Sequence, residues 1–319
     1  MPQTVIITRD FDHMSCVAAD LIQTRIAQTL RVQDTFTLGL ATGHSPTGVY
    51  RHLAQAFNDR TLEAEKIRSI NLDEYVGLPG CNAQERALHS ESYTFFMIQE
   101  FFGLLHPKFA ATHVPWGCLI DEDRLVRELD AHPDDWQAQG TDKGQAIVIR
   151  PDAASDYLRW VRTDILDAYE RLIHDLGGID LHLIGVGGRG HAAFHEVGIP
   201  FEGNRMLLVR LDDNTLENAL TDGHFLARPE KPRYAISMGA ELIYQAPCVI
   251  MLASGPRKAD SVAASLLDAP SPATPISYGQ IHAQRGNDMI YVLDRDAAHD
   301  VCKQRAAIEA RGILVQDLA

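Results

Sequence analysis

Apolar and polar positions alternate along this chain in two periods that take turns. Residues 5–7 form a short apolar run that predicts a strand. The segment 11–30 follows, with Met14, Val17, Ala18, Leu21, Ile22 and Ile26 at helical spacing. The same couple then recurs: Thr35-Phe-Thr-Leu-Gly-Leu-Ala41 reads as a strand, Thr42-Gly-His-Ser-Pro-Thr-Gly48 as a turn, and 49–57 as a helix. A third strand is predicted over 67–72, ending at Asp73-Glu74-Tyr75 before a loop marked by Gly77, Pro79 and Gly80, with a helical pattern around 90–105. Residues 157–176 are amphipathic. Residues 179–185 read as a buried strand opening into Gly185-Val-Gly-Gly-Arg-Gly190. Residues 248–254 run into Gly255-Pro-Arg-Lys258 and a helix over 259–267, and 288–294 read as a last strand.

Strands alternating with helices predict a parallel sheet covered on both faces, an α/β architecture in a single domain over 1–319. Between residues 121 and 156 the composition shifts to Asp, Gln, Gly and Pro, and this stretch is expected as a surface insertion. Ligands of open α/β sheets bind outside the carboxyl ends of the strands, so the turns named above are where chemistry is expected.

Charge and cysteine usage narrow the classes. Twenty-nine Lys and Arg against 43 Asp and Glu give a formal charge of −14, which disfavours nucleic acid and anionic membrane surfaces as partners. An anionic small molecule would therefore have to be held by local groups. The five cysteines, Cys16, Cys81, Cys118, Cys248 and Cys302, are widely spaced with no CxxC pair, which suggests neither a disulfide framework nor a zinc site and points to the cytoplasm. No stretch approaches the roughly 18 apolar residues of a membrane span.

Four places could carry chemistry. The turn Thr42-Gly43-His44-Ser45 offers hydroxyls and backbone N–H groups before a helix, which suits phosphate, although such clusters also serve as plain turns. Asp73 and Glu74 follow an apolar strand, where partial desolvation would raise a carboxyl pKa towards that of a useful base; a loop-capping pair is the bland alternative. The turn with Gly187 and Gly188 leads to His191, a potential proton shuttle, and Glu196, which could orient it; a satisfied structural histidine is equally compatible. Lys258 stands where a helix begins and could neutralise a phosphate, or simply lie in solvent. His13, His52, His106 and His132 lack ligand spacing, so no metal site is expected.

Taken together, LGLATGHSPTGVY (38–50), INLDEYVGLP (70–79), HSESYTFFM (89–97), GVGGRGHAAFHE (185–196), RYAISMGAELI (233–243) and SGPRKA (254–259) resemble the glucosamine-6-phosphate deaminase/isomerase family. The blocks arrive in family order over most of the chain. The run 71–79 is specific to the amino-sugar branch, and the glycine–histidine turn is shared with the related phosphogluconolactonases. The resemblance implies a Rossmann-like doubly wound, mostly parallel sheet with helices on both faces, and no metal or organic cofactor. It further implies Asp73 as the base that carries a proton between C2 and C1 of the opened sugar, His191 as the acid that opens the ring, Glu196 as its support, and Thr42, Gly43, Ser45 and Lys258 as the phosphate site.

Two departures stand out. Where the family's deaminases read Gly-Asn-Asp-Gly-His, this chain has Gly187-Gly188-Arg189-Gly190-His191, so a carboxylate of the acid–base relay has become a cation. Where they carry a phosphate-binding arginine after a segment matching 213–215, this chain reads Asn218-Ala-Leu220. One expectation is that Arg189 supplies the charge missing near Leu220; a solvent-facing substitution is the alternative. The reaction expected is isomerisation and deamination of a phosphorylated amino sugar. An isomerase without deamination, a phosphogluconolactonase-like hydrolase and a non-catalytic sugar-phosphate sensor are the rivals, and a homo-oligomer is possible.

Overall fold

The computed structural model describes residues 3–142, 144–211 and 232–319. Among them, eight strands form one parallel sheet: β1 (Thr4–Ile7), β2 (Phe36–Leu40), β3 (Ile67–Asn71), β5 (Ala111–His113), β8 (Leu181–Gly185), β11 (Cys248–Ala253), β12 (Asp288–Leu293) and β13 (Leu314–Asp317). They lie in the order β13-β1-β12-β11-β8-β2-β3-β5. The runs expected as strands at 5–7, 35–41, 67–72, 179–185, 248–254 and 288–294 all lie in this sheet. The two edge strands, β5 and β13, are too short and too exposed to leave an apolar signature.

The central strands are apolar on both faces because helices cover both. Along β11 the side chains alternate between two cores. Val249, Met251 and Ala253 pack with the helices Asp167–Asp175, Ala259–Leu267 and Tyr278–Gln284, while Cys248, Ile250 and Leu252 pack with α1 (Phe11–Thr29) and α2 (Thr47–Asn58). Helix α1 begins where Asp10 accepts a 2.8 Å hydrogen bond from the His13 N–H, a side-chain cap for an otherwise orphaned donor.

A second sheet was not expected from the sequence. Strands β4 (Asp73–Val76), β10 (Tyr234–Met238), β9 (Met206–Arg210), β7 (Gly144–Ile149) and β6 (Trp136–Thr141) pair antiparallel in that order. Residues 73–76, expected as the end of a strand and the start of a loop, are thus a strand in their own right. The stretch 121–156, expected as a surface insertion, supplies β6, β7 and the helix Glu122–Ala131. Its Leu125, Leu129, Ile147 and Ile149 are buried against Tyr157, Val161 and Ile165. Short apolar pairs at every second or fourth position escape a reading that looks for long apolar runs. The expected helix over 90–105 is shorter, Tyr93–Glu100, because Phe101 leaves helical geometry at φ −144° and a 3₁₀ turn follows. The amphipathic stretch 157–176 is interrupted by a π-helical segment, Val161–Leu166. No helix among the described residues is long and apolar enough to cross a membrane.

The joint between the sheets is Leu72. Its N–H donates to the carbonyl of Leu40 at the end of β2 (3.2 Å), and its own carbonyl accepts from the N–H of Met238 at the end of β10 (2.8 Å). One residue therefore passes the chain from the parallel sheet to the antiparallel one. Asp73 follows immediately, at the carboxyl edge of the main sheet.

Close packing inside the main sheet can be tested at Gly39 on β2. A Cβ there would fall 1.7 Å from Cδ2 of the fully buried His182, whose Nδ1 lies 2.9 Å from the Ile243 carbonyl. Gly39→Ala should cost about 1–3 kcal/mol through overpacking, read as a lowered urea midpoint at unchanged slope. An unchanged midpoint would show that the ring moves aside freely.

Candidate active site

The carboxyl ends of β2, β8 and β11, adjacent in the sheet, open on a cleft of about 430 Å³. After β2 the chain turns through Thr42, Gly43, His44 and Ser45, all of which line the cleft, with Gly43 at φ +96°. The imidazole of His44 stacks on Phe11 of α1 at 4.8 Å, which ties the turn to the helix layer. After β11 the turn is fixed by Asp294. Its carboxylate accepts from the Ser254 hydroxyl (2.5 Å) and from the N–H groups of Gly255 (3.0 Å) and Ala297 (2.8 Å). Ser254, Gly255, Arg257 and Lys258 line the cleft on that side.

Asp73 is 5% exposed and lines the cleft. Burial is the main reason its carboxyl pKa rises to about 8. The neighbouring Glu74 carboxylate adds to the rise, and the Thr42 hydroxyl, 3.5 Å away, opposes it. Glu74 itself faces away, since successive side chains of a strand point to opposite faces. Its Oε1 accepts from the N–H groups of Tyr75 and Tyr93 (both 2.9 Å). Its Oε2 accepts from the Ser92 hydroxyl (2.7 Å) and from Thr94 through both the N–H (2.9 Å) and the hydroxyl (3.0 Å). Burial pushes the Glu74 pKa up and these bonds pull it back. Glu74 thereby caps the helix Tyr93–Glu100 and carries Tyr93 to the cleft wall, where Tyr75, Tyr93 and Phe194 cluster with ring centroids 4.8 to 6.0 Å apart.

After β8, Gly187 and Gly188 line the cleft and His191 follows. The turn is closed by hydrogen bonds from the Gly187 N–H to the His191 carbonyl (3.0 Å) and from the Gly190 N–H to the Gly187 carbonyl (2.9 Å). Glycine is required at 187, because a Cβ there would fall 1.8 Å from His191 Nε2. Behind the ring, Glu196 Oε2 lies 3.1 Å from His191 Nδ1, with Glu196 fully buried and His191 16% exposed at the side chain. Gly144 of β7 leaves room for that carboxylate, since a Cβ there would approach Glu196 Cγ to 2.5 Å. The stretch 121–156 therefore reaches the back of the site. Next to this pair, His195 accepts from the Ala240 N–H at Nδ1 (3.0 Å), so its Nε2 carries the proton and faces the Ile199 carbonyl at 3.1 Å. Burial lowers its pKa to about 4 and keeps it a neutral structural group.

No family model matches the chain. A glucosamine-6-phosphate deaminase of Clostridium perfringens is 31% identical over 297 residues, covering 92% of this chain and 98% of the relative. One from Clostridium acetobutylicum is 30% identical over 294 residues, with the same coverage. This chain belongs to the glucosamine-6-phosphate deaminase family. Among solved structures, a monomeric glucosamine-6-phosphate deaminase described as a missing link of the NagB superfamily superposes with a TM-score of 0.68 at 25% identity, over 93% of this chain and 99% of that one. A 6-phosphogluconolactonase from Trypanosoma cruzi superposes with a TM-score of 0.60 at 17% identity over 94% and 97% of the two chains, a likeness of fold alone.

Within this family frame, the residues singled out in the sequence fall into two groups. Thr42, Gly43, His44, Ser45, Asp73, Gly187, Gly188, His191 and Lys258 line one cleft, with Glu196 directly behind His191. Glu74 and Arg189 are placed differently. Glu74 is a helix cap on the far side of β4, not a substrate-facing group. Arg189 is half-buried between Gly188 and Gly190 at the tip of the turn and is not among the residues lining the cleft. The segments 213–215 and 218–220 lie outside the described residues. Sequence reasoning passed over Tyr75, Tyr93 and Phe194, although each stands inside a quoted motif, because aromatic residues read as core. It also passed over Asp294, whose role depends on a partner 39 residues away.

The raised Asp73 pKa has a consequence for stability. The folded protein holds the carboxyl proton up to about pH 8, whereas the unfolded chain releases it near 3.8. Asp73 therefore destabilises the fold increasingly as pH rises between those values, by up to about 1.4 kcal/mol per pH unit. Asp73→Asn should gain on the wild type across pH 5 to about 8 and level off above, by urea midpoints measured along that range. Parallel curves would contradict the burial argument.

Proposed function

We propose that the chain converts a phosphorylated amino sugar to a ketose phosphate and ammonia, as a glucosamine-6-phosphate deaminase. The observation that carries this is the pairing, in one cleft of a family member, of a buried carboxyl poised near neutrality with a histidine backed by a buried glutamate. His191 protonates the ring oxygen as the C1–O5 bond breaks and the O1 hydroxyl releases its proton to solvent to form the aldehyde, with Glu196 holding the ring from behind. Ionised Asp73 takes the proton from C2 of the open aldose while the carbonyl oxygen O1 gains one from solvent, giving an enolamine, and Asp73 returns the C2 proton to C1. The C2 imine so formed adds water and expels ammonia, leaving the ketose. Tyr75, Tyr93 and Phe194 keep water away from Asp73, and the turns at 42–45 and 254–258 hold the phosphate.

The solved relative is described as monomeric, which supports a monomer here. The five cysteines are free thiols, which supports a cytoplasmic setting.

The test is a paired assay of ammonium and ketose release from glucosamine, galactosamine and mannosamine 6-phosphates and their non-amino counterparts. Stoichiometric ammonium and ketose from an amino sugar are expected. Asp73→Asn should lower the rate by about 10²- to 10⁴-fold. Ketose without ammonium would make the chain a plain isomerase, and opening of a phosphogluconolactone in place of both would make it a lactonase.

A further inference from the structure

Among the described residues, the cleft carries a second cation next to the expected Lys258. Among the described residues lining it, Arg257 and Lys258 are the arginine and the lysine, and they are consecutive on the 3₁₀ turn Pro256–Lys258. Arg189, which the sequence suggests for an additional charge, is not in that lining. We propose that Arg257 is the second cation of the anion subsite, its guanidinium gripping the substrate phosphate beside Lys258 and so helping to set specificity for phosphorylated sugars. This rests on the sugar-phosphate reading above and deepens it.

Three features of the structure support the assignment. The turn is held at its root, since Asp294 binds both Ser254 and Gly255, so the two cations stand on a fixed base and not on a free loop. The turn also abuts the glycine turn after β8: a Cβ on Gly188 would meet the Arg257 carbonyl oxygen at 3.8 Å, and this places residue 257 beside the His191 turn. Finally, the strand order β11-β8-β2-β3 sets Arg257 and Lys258, beyond β11, two to three interstrand spacings of about 4.8 Å from Asp73, whose carboxylate lies 3.5 Å from the Thr42 hydroxyl at the end of β2. A hexose whose C1 and C2 lie against Asp73 extends its phosphate towards β11, and a long side chain there closes the remaining gap. Guanidinium and ammonium differ in what they offer. Arginine presents parallel N–H donors to two phosphate oxygens, and lysine a point charge to one. With a net charge of −14 on the chain, local cations of this kind are what make an anion site possible.

The experiment titrates inorganic phosphate into the full chain by calorimetry, for wild type, Arg257→Gln, Arg257→Lys and Lys258→Gln, and follows with steady-state kinetics on glucosamine 6-phosphate. Arg257→Gln should weaken phosphate binding by roughly 10- to 100-fold, the worth of a charged hydrogen bond. KM should rise more than kcat falls, while Arg257→Lys keeps part of the affinity and the melting temperature stays put. Phosphate binding by Arg257→Gln within about twofold of wild type, with Lys258→Gln crippled, would overturn the assignment, as would a wild type with no measurable affinity for phosphate. Phosphate binding that depends on Arg257 in a chain that releases no ammonium would sink the deaminase reading and leave the anion subsite standing.

Discussion

The structure turns on the backbone of Leu72. By donating to Leu40 on one sheet and accepting from Met238 on the other, this residue makes the chain leave a parallel sheet and enter an antiparallel one without an intervening loop. A loop would have been solvated and would have let the next residue reach water. The junction instead delivers Asp73 at the carboxyl edge of β3 with almost no exposure, backed by Ser237 and Ile236 of β10 through the β4 pairing. Desolvation then does to the carboxyl what a neighbouring cation would undo, and its pKa climbs to about 8. Glu74, turned the other way by the pleat, spends its charge on the N-terminus of the helix Tyr93–Glu100 and adds repulsion from behind. Two adjacent carboxylates thus take separate tasks because they stand on opposite faces of one strand.

The rest of the site follows from how closely the turns at neighbouring strand ends can approach. Gly187 makes room for the imidazole of His191, and Gly144 makes room for the Glu196 carboxylate behind it; a methyl group at either position would collide with the group it serves. The requirement at Gly144 explains why the antiparallel sheet matters to a cleft that opens from the parallel one. On the other side, Asp294 at the end of β12 organises the turn after β11, so charge at Arg257 and Lys258 is presented by a rigid element. Along the strand order the turns alternate, with 254–258 after β11, His191 after β8, 42–45 after β2 and Asp73 after β3, so ionisable groups and anion-sized turns line one continuous cleft.

The parallel sheet was legible in the sequence because buried central strands are written as apolar runs, continuous at 248–253 and broken only by Asp180 and His182 at 179–185. The antiparallel sheet was not. Its β4 is four residues long and begins with two acids, and β6 is mostly exposed, so neither resembles a strand until its partners are known. The candidate site was legible wherever a turn follows a strong strand, at 42–45, 187–191 and 258, and in the resemblance carried by 71–79. Residue orientation was the harder part. Glu74 and Arg189 sit inside the right motifs, but whether a side chain enters the cleft depends on the pleat of β4 and on the tip of a glycine turn, neither of which spacing encodes. The aromatic wall of Tyr75, Tyr93 and Phe194 assembles from three separate segments, and only the fold brings them together.

Burial at the sheet junction, and not an accident of composition, holds the Asp73 carboxyl far above the ordinary aspartate range. The most direct measurement is a carbon-detected NMR titration of the Asp73 carboxyl in the full chain, assigned by its loss in Asp73→Asn. A midpoint near 8 is expected. A midpoint near 4, the ordinary range of a solvated aspartate, would contradict it.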